Sequence, residues 1–142
     1  MFTLKKSIKI THFVLIVSCL NLLLFHLPFF KYALNNLTLN SISGIILIIS
    51  LLVAVIVVNA LVFYIFFLIS RIFAKTLLVI FFILNAVSVY FISTYSVIID
   101  ETMIGNVINT KSSEAGSFFS FKLVLYVLIL GVLPSIFIVY TK

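Results

Sequence analysis

From Ile42 to Ser70 the chain runs without a charged side chain, through GIILIISLLVAVIVV and on into the aromatic stretch FYIFFLIS. A segment apolar on every side has no water-facing stripe as a helix and no alternating face as a strand. Such a run belongs in hydrocarbon, where about 20 helical residues cross a core roughly 30 Å thick. A helix satisfies its backbone hydrogen bonds locally, and an open strand in lipid does not. The run therefore predicts a membrane-spanning helix, longer than the bilayer needs and so tilted or projecting beyond it. Outer-membrane strands, with alternating polarity over about ten residues, are a poor reading of it.

Three further apolar runs share the pattern, at about Ile10–Phe30, Leu77–Ile99 and Phe121–Tyr140. The expectation is an all-α membrane protein: residues 1–142 as one transmembrane domain of four helices, spanning about 10–30, 42–70, 77–99 and 121–140. Composition leaves little room for anything else. Hydrophobic residues make up 65% and charged residues 8%, with a mean hydropathy of +1.45, whereas soluble domains are about a quarter charged. Pro28 and the Asn35-Asn36 pair are expected to close the first segment. Pro134 inside the fourth should kink it, its freed carbonyl met by a neighbouring helix or water.

The first run, preceded by Lys5, Lys6 and Lys9, also resembles a secretory signal peptide, and Ile16-Val17-Ser18-Cys19 imitates a lipoprotein cleavage site. The apolar run continues well past Cys19, through Leu20, Leu22, Leu23, Leu24 and Phe25. An uncleaved helix is therefore the better reading.

Nine basic and three acidic residues give a formal charge of +6. The basic residues form no aromatic-interleaved patch and sit at the ends of apolar runs, so they set topology and do not point to nucleic acid. Three lie in the N-terminal tail, and Arg71 and Lys75 flank a short turn between the second and third runs. Lys31, Lys111 and Lys122 fall on the other side. This bias puts the N-terminus, and with four spans the C-terminus at Lys142, in the cytoplasm. Residues 100–120 then form the one sizeable non-cytoplasmic loop.

Within the spans the chemistry is sparse. His12 and His26 on one helix would be about 21 Å apart by rise, too far to share a metal, and Cys19 does not help. One cysteine permits no internal disulfide. Asn21, Asn59 and Asn85 suit interhelical hydrogen bonds in lipid. The absence of a mid-span charge argues against an ion-coupled carrier. The loop is richer. Asp100 and Glu101 sit where a helical turn could begin. Thr102, Asn106, Thr110 and Glu114 then recur every four residues beside an apolar strip of Met103 and Val107. That spacing predicts a short amphipathic helical segment at the outer membrane surface. Thr110 could instead cap a second short helix with Glu114 in its first turn.

At this loop the stretch from Ile83 to Ile138 resembles the membrane domain of bacterial lipid A phosphoethanolamine transferases, the family that includes the mobile colistin-resistance enzymes. The resemblance rests on Tyr95, Asp100, Thr102-Met103-Ile104, Asn106-Val107, Thr110 and Glu114-Ala115, then Leu125-Tyr126 and Gly131-Val132-Leu133-Pro134, with Leu27-Pro28-Phe29-Phe30 a looser fit. It implies a Gram-negative inner-membrane location, with phosphatidylethanolamine and lipid A as lipid partners. It also implies that Asn106, Thr110 and Glu114 bind substrate from the membrane side. Lys111-Ser112-Ser113 departs from the family's more acidic pattern there. In the family, a fifth helix and a periplasmic domain holding zinc and a threonine nucleophile follow. No catalytic residue, metal site or cofactor is expected in this chain. The resemblance thus predicts an anchoring and lipid-presenting part of a transferase, truncated or split and inactive alone, working with a separately encoded catalytic domain. The alternative is a self-contained small inner-membrane interaction or accessory protein.

Overall fold

The computed structural model describes residues 8–37, 41–95 and 120–141. These form five helices: α1 (Ile10–Phe25), α2 (Leu27–Asn36), α3 (Ile42–Ile69), α4 (Arg71–Tyr95) and α5 (Phe121–Tyr140). No strand occurs among the described residues. By length and composition α3, α4 and α5 can each cross a membrane, and α1 with α2 makes a fourth crossing if the bent pair is counted as one.

The first segment departs from the sequence expectation in an instructive way. The helix does stop near Pro28, but it breaks two residues earlier, at His26, and then resumes through the proline to Asn36 at an angle of 64°. Pro28 has no N–H to return to the carbonyl four residues back, and its ring would clash there, so it cannot continue α1. In the first turn of a new helix that N–H would be unbonded anyway, so the same residue starts α2 comfortably. The Phe30 N–H bonds to the His26 carbonyl at 3.0 Å and begins the new ladder.

Between α3 and α4 the turn is tighter than the charges at Arg71 and Lys75 suggest. Ser70 alone is extended (φ −168°, ψ 147°). Its N–H bonds to the Phe66 carbonyl at 3.5 Å, its carbonyl accepts from Ala74 N–H at 2.9 Å, and its Oγ accepts from Phe73 N–H at 3.4 Å. One serine thus closes α3 and caps α4. Arg71 and Lys75 are helical residues, and α4 starts at Arg71 instead of Leu77.

Helix α5 absorbs Pro134 without a break. Residues Val127–Val132 are wound as a π-helix, with the Leu133 N–H reaching back to the Leu128 carbonyl. One extra residue in the turn relieves the clash a proline ring makes with an α-helical carbonyl. The Ser135 hydroxyl donates to the Gly131 carbonyl at 2.6 Å, so a side chain on the next turn helps satisfy the disturbed backbone.

The helices pack antiparallel in sequence order, α1 on α3, α3 on α4 and α4 on α5. Helix α4 is central. Ala74, Leu78, Phe82, Ala86, Val89 and Tyr90 are all buried, recurring at helical spacing along one face. Phe25 meets Phe82 edge to face at 5.2 Å between ring centroids, Phe13 meets Phe67 at 5.5 Å, and Phe63 meets Phe81 at 5.8 Å. Lipid supplies no hydrophobic drive between helices, so close packing has to hold them. It is close at Gly131, where an added Cβ would stand 3.3 Å from the Ile83 Cα and 3.5 Å from the Ala86 Cβ. By contrast α3 buries only Gly44 and Phe63.

Candidate functional site

Asn106, Thr110 and Glu114, the residues the sequence puts forward for substrate, lie outside the described residues, as does the amphipathic segment expected around them. The helices on either side of that segment are described, and they are fastened together. Tyr90, 1% exposed, forms a 2.7 Å hydrogen bond between its hydroxyl and the Ser120 Oγ. Ser120 is also the N-cap of α5, its Oγ accepting from the Leu123 N–H at 3.2 Å. The Tyr90 ring stands nearly perpendicular to Phe91, Tyr95 and Tyr126, at 5.3, 6.0 and 5.6 Å between centroids. Such edge-to-face pairs add to burial and fix ring orientation. The first and last described turns around segment 96–119 are therefore tied to one aromatic cluster.

Beside this cluster lies an open groove of roughly 1350 Å³ between α1 and α2 on one side and α4 and α5 on the other. The 64° bend at His26 turns α2 away from the α1 axis and makes the room. Its walls are largely apolar, with Leu24, Val89, Ile129 and Leu130 among them, while Lys31, Tyr32, Asn35 and Lys122 bring polar groups to it. In the sequence, Lys31 and Lys122 bear only on topology. Their joint placement was not legible in the chain, because they belong to helices far apart in sequence. The one available signal was that both lysines sit on the side the positive-inside bias disfavours.

Deeper in the bundle, two of the three intramembrane asparagines meet. Asn59 Nδ2 on α3 donates to Asn21 Oδ1 on α1 at 3.2 Å. Asn21 is fully buried, and its Nδ2 has no partner among the described residues. The Asn21 carbonyl lies 3.4 Å from His26 Nδ1 at the bend. Asn85 is half-buried on α4 and plays no part in this pair. The arrangement is a packing link, as the sequence suggested.

Among the described residues no three His, Cys, Asp or Glu side chains come together. His12 and Cys19 are exposed and His26 is occupied at the bend, so this donor set does not fit a zinc ion, which wants four ligands in tetrahedral array.

Residues 55–142 match the family described as Phosphoethanolamine transferase EptA/EptB. That match covers more than half of the chain and decides its relationship. The chain belongs to the phosphoethanolamine transferase family. Among curated relatives it is similar to Phosphoethanolamine transferase EptA of Helicobacter pylori, 36% identical over 112 residues, which is 79% of this chain and 20% of the relative. It is also similar to Phosphoethanolamine transferase EptA of Salmonella typhimurium, 36% identical over 129 residues, or 89% of this chain and 22% of that one. Phosphatidylethanolamine transferase Mcr-1 of Escherichia coli is 32% identical over 68 residues, covering 48% of this chain and 13% of the relative. No solved structure matches the chain. The chain thus spans about one fifth of the length of the two EptA relatives and corresponds to the N-terminal transmembrane domain of the transferase family. With its apolar helices this makes it a multi-pass membrane protein. Several residues that carried the resemblance have visible work within the family fold: Tyr126 packs on Tyr90, Gly131 permits the α4–α5 approach, and Pro134 sets the π turn.

Proposed function

We propose that this chain anchors a phosphoethanolamine transferase in a Gram-negative inner membrane and presents lipid to its catalytic part. The observation that carries the reading is the family match over residues 55–142, joined to an apolar groove that opens beside the helix ends flanking segment 96–119. On this reading both termini of the chain are cytoplasmic, segment 96–119 faces the periplasm, and Asn106, Thr110 and Glu114 contact the substrate there. An amide, a hydroxyl and a carboxylate suit a phosphoethanolamine group: the amide and hydroxyl donate to phosphate oxygens, and the carboxylate accepts from the ammonium. Zinc-dependent transfer from phosphatidylethanolamine to lipid A is the task of the family's catalytic domain, whether continuous with this chain or separately encoded.

The test uses a transferase carrying this chain as its membrane part, with lipid A read by mass spectrometry. Asn106→Ala and Glu114→Ala are each expected to cut phosphoethanolamine transfer about tenfold or more, the cost of one lost charge-assisted hydrogen bond, with membrane insertion retained. Undiminished transfer in both variants would sink the substrate-binding assignment.

A further inference from the structure

The groove differs from an ordinary lipid-facing furrow in how its charge is distributed. Lys31 on α2 and Lys122 in the first turn of α5 both border it and both are exposed, and among the described residues no carboxylate lines it. Ile129 and Leu130 follow Lys122 along the same helix, so they lie about 10 Å deeper by helical rise. Val89 on α4 and Leu24 on α1 also belong to its apolar wall. The slot is therefore cationic at its rim and apolar two helical turns below, the same order in which a glycerophospholipid stacks its phosphate over its acyl chains. Tyr32 and Asn35 bring a hydroxyl and an amide to the lysines' end, groups able to bond phosphate or ester oxygens.

The position of the lysines sharpens the point. The contacts of Phe13 with Phe67 and of Lys75 with Val139 put the α3–α4 turn at one end of the bundle, and the hydrogen bond of Tyr90 with Ser120 puts the groove at the other. Cations at the groove end oppose the bias that orients the protein, so topology gives them no reason to be there. An anion in the groove does.

We infer that the groove between α1, α2, α4 and α5 binds one glycerophospholipid from the surrounding bilayer, its phosphate held by Lys31 and Lys122 and an acyl chain laid against Leu24, Val89, Ile129 and Leu130. This rests on the lipid-presenting role proposed above and deepens it by naming a site and the groups that hold the lipid there. It is tested by binding alone, so its failure is distinguishable from a failure of transfer.

The experiment is native mass spectrometry of the whole 142-residue chain released from detergent, with added lipids of matched acyl chains. Phosphatidylglycerol and phosphatidylethanolamine are both expected to be retained about tenfold more than diacylglycerol, which has the chains but no phosphate. The double variant K31Q/K122Q should lower phospholipid retention to the diacylglycerol level, and K31R/K122R should restore it. That rescue, with unchanged helical circular dichroism, separates lost charge from lost folding. Lys9→Gln, at the opposite end of the bundle, should change nothing. Equal retention of diacylglycerol, an equal loss with Lys9→Gln, no loss in K31Q/K122Q, or full displacement of lipid by inorganic phosphate would each overturn the inference. The last outcome would mean a simple anion site.

Discussion

The two ends of the bundle are built on opposite plans. At the α3–α4 turn, polar groups are spent on the chain itself. Ser70 closes one helix and opens the next, and Lys75 Nζ donates to the carbonyls of Val139 and Thr141 at 3.0 and 2.5 Å. A cation on the last carbonyls of a helix also complements its dipole, so α4 and α5 are pinned where α5 ends. At the other end the Tyr90–Ser120 bond again joins α4 to α5, but α2 leans away, and two lysines border an open groove. One end is locked, and among the described residues the other presents cations at its rim. Binding groups placed at the mouth of a rigid scaffold keep their geometry without needing to be rigid themselves.

The largest effect that would break this comparison is expected at the seam between the ends. Gly131→Val places side-chain atoms against the Ile83 backbone, where a Cβ alone already stands at 3.3 Å. Overpacking of this kind costs about 1–3 kcal/mol, and because α4 and α5 wall the groove, phospholipid retention should fall as well. Unfolding in mixed detergent measures the first and native mass spectrometry the second. A variant as stable as the parent would mean that the seam does not hold the ends in register.

Lys75→Met should cost less, about 1 kcal/mol for the lost charged hydrogen bonds in a partly exposed setting. Its loss should stay local. Hydrogen exchange at the Thr141 amide, which bonds to the Phe137 carbonyl at 3.1 Å, should accelerate while lipid retention is unchanged. Reduced lipid retention would show that the locked end controls the open one.

The smallest effect is expected at the asparagine pair. In a double-mutant cycle of Asn21→Ala and Asn59→Ala, the coupling should be about 0.6 kcal/mol, the usual size of an interhelical hydrogen bond in lipid. A coupling near zero would remove the polar link between α1 and α3 and leave the aromatic contacts to hold α1.

What the sequence made legible follows the same division. The long apolar runs announce α3, α4 and α5, because a stretch without charge has one stable backbone solution in hydrocarbon. The Asn21–Asn59 link could be anticipated for the same reason: an amide in lipid needs a partner. Arg71 and Lys75 look like loop charges in the sequence and hide the start of α4, yet a lysine can stand in a helix when carbonyls of a neighbouring helix accept its hydrogen bonds. Pro28 signalled a stop, and only the folded chain shows that it also begins a second helix. The groove could not be read, since it exists only where residues from four helices converge. Asn106, Thr110 and Glu114 came from resemblance joined to their spacing, and they rest on those grounds still.

If the groove binds lipid as proposed, the bend at His26 has a kinetic consequence. The 16 residues of α1 rise only about 24 Å, short of a hydrocarbon core roughly 30 Å thick. If α1 begins at one membrane face, the chain turns aside before it reaches the opposite one. The slot beside it then opens sideways into a leaflet as well as upward. A lipid entering there never has to leave the bilayer, so no acyl chain passes through water on the way in. Loading would then be limited by diffusion in two dimensions and would track the mole fraction of the lipid in its own leaflet. Lipid dispersed in solution would be a poor guide to how quickly the groove fills.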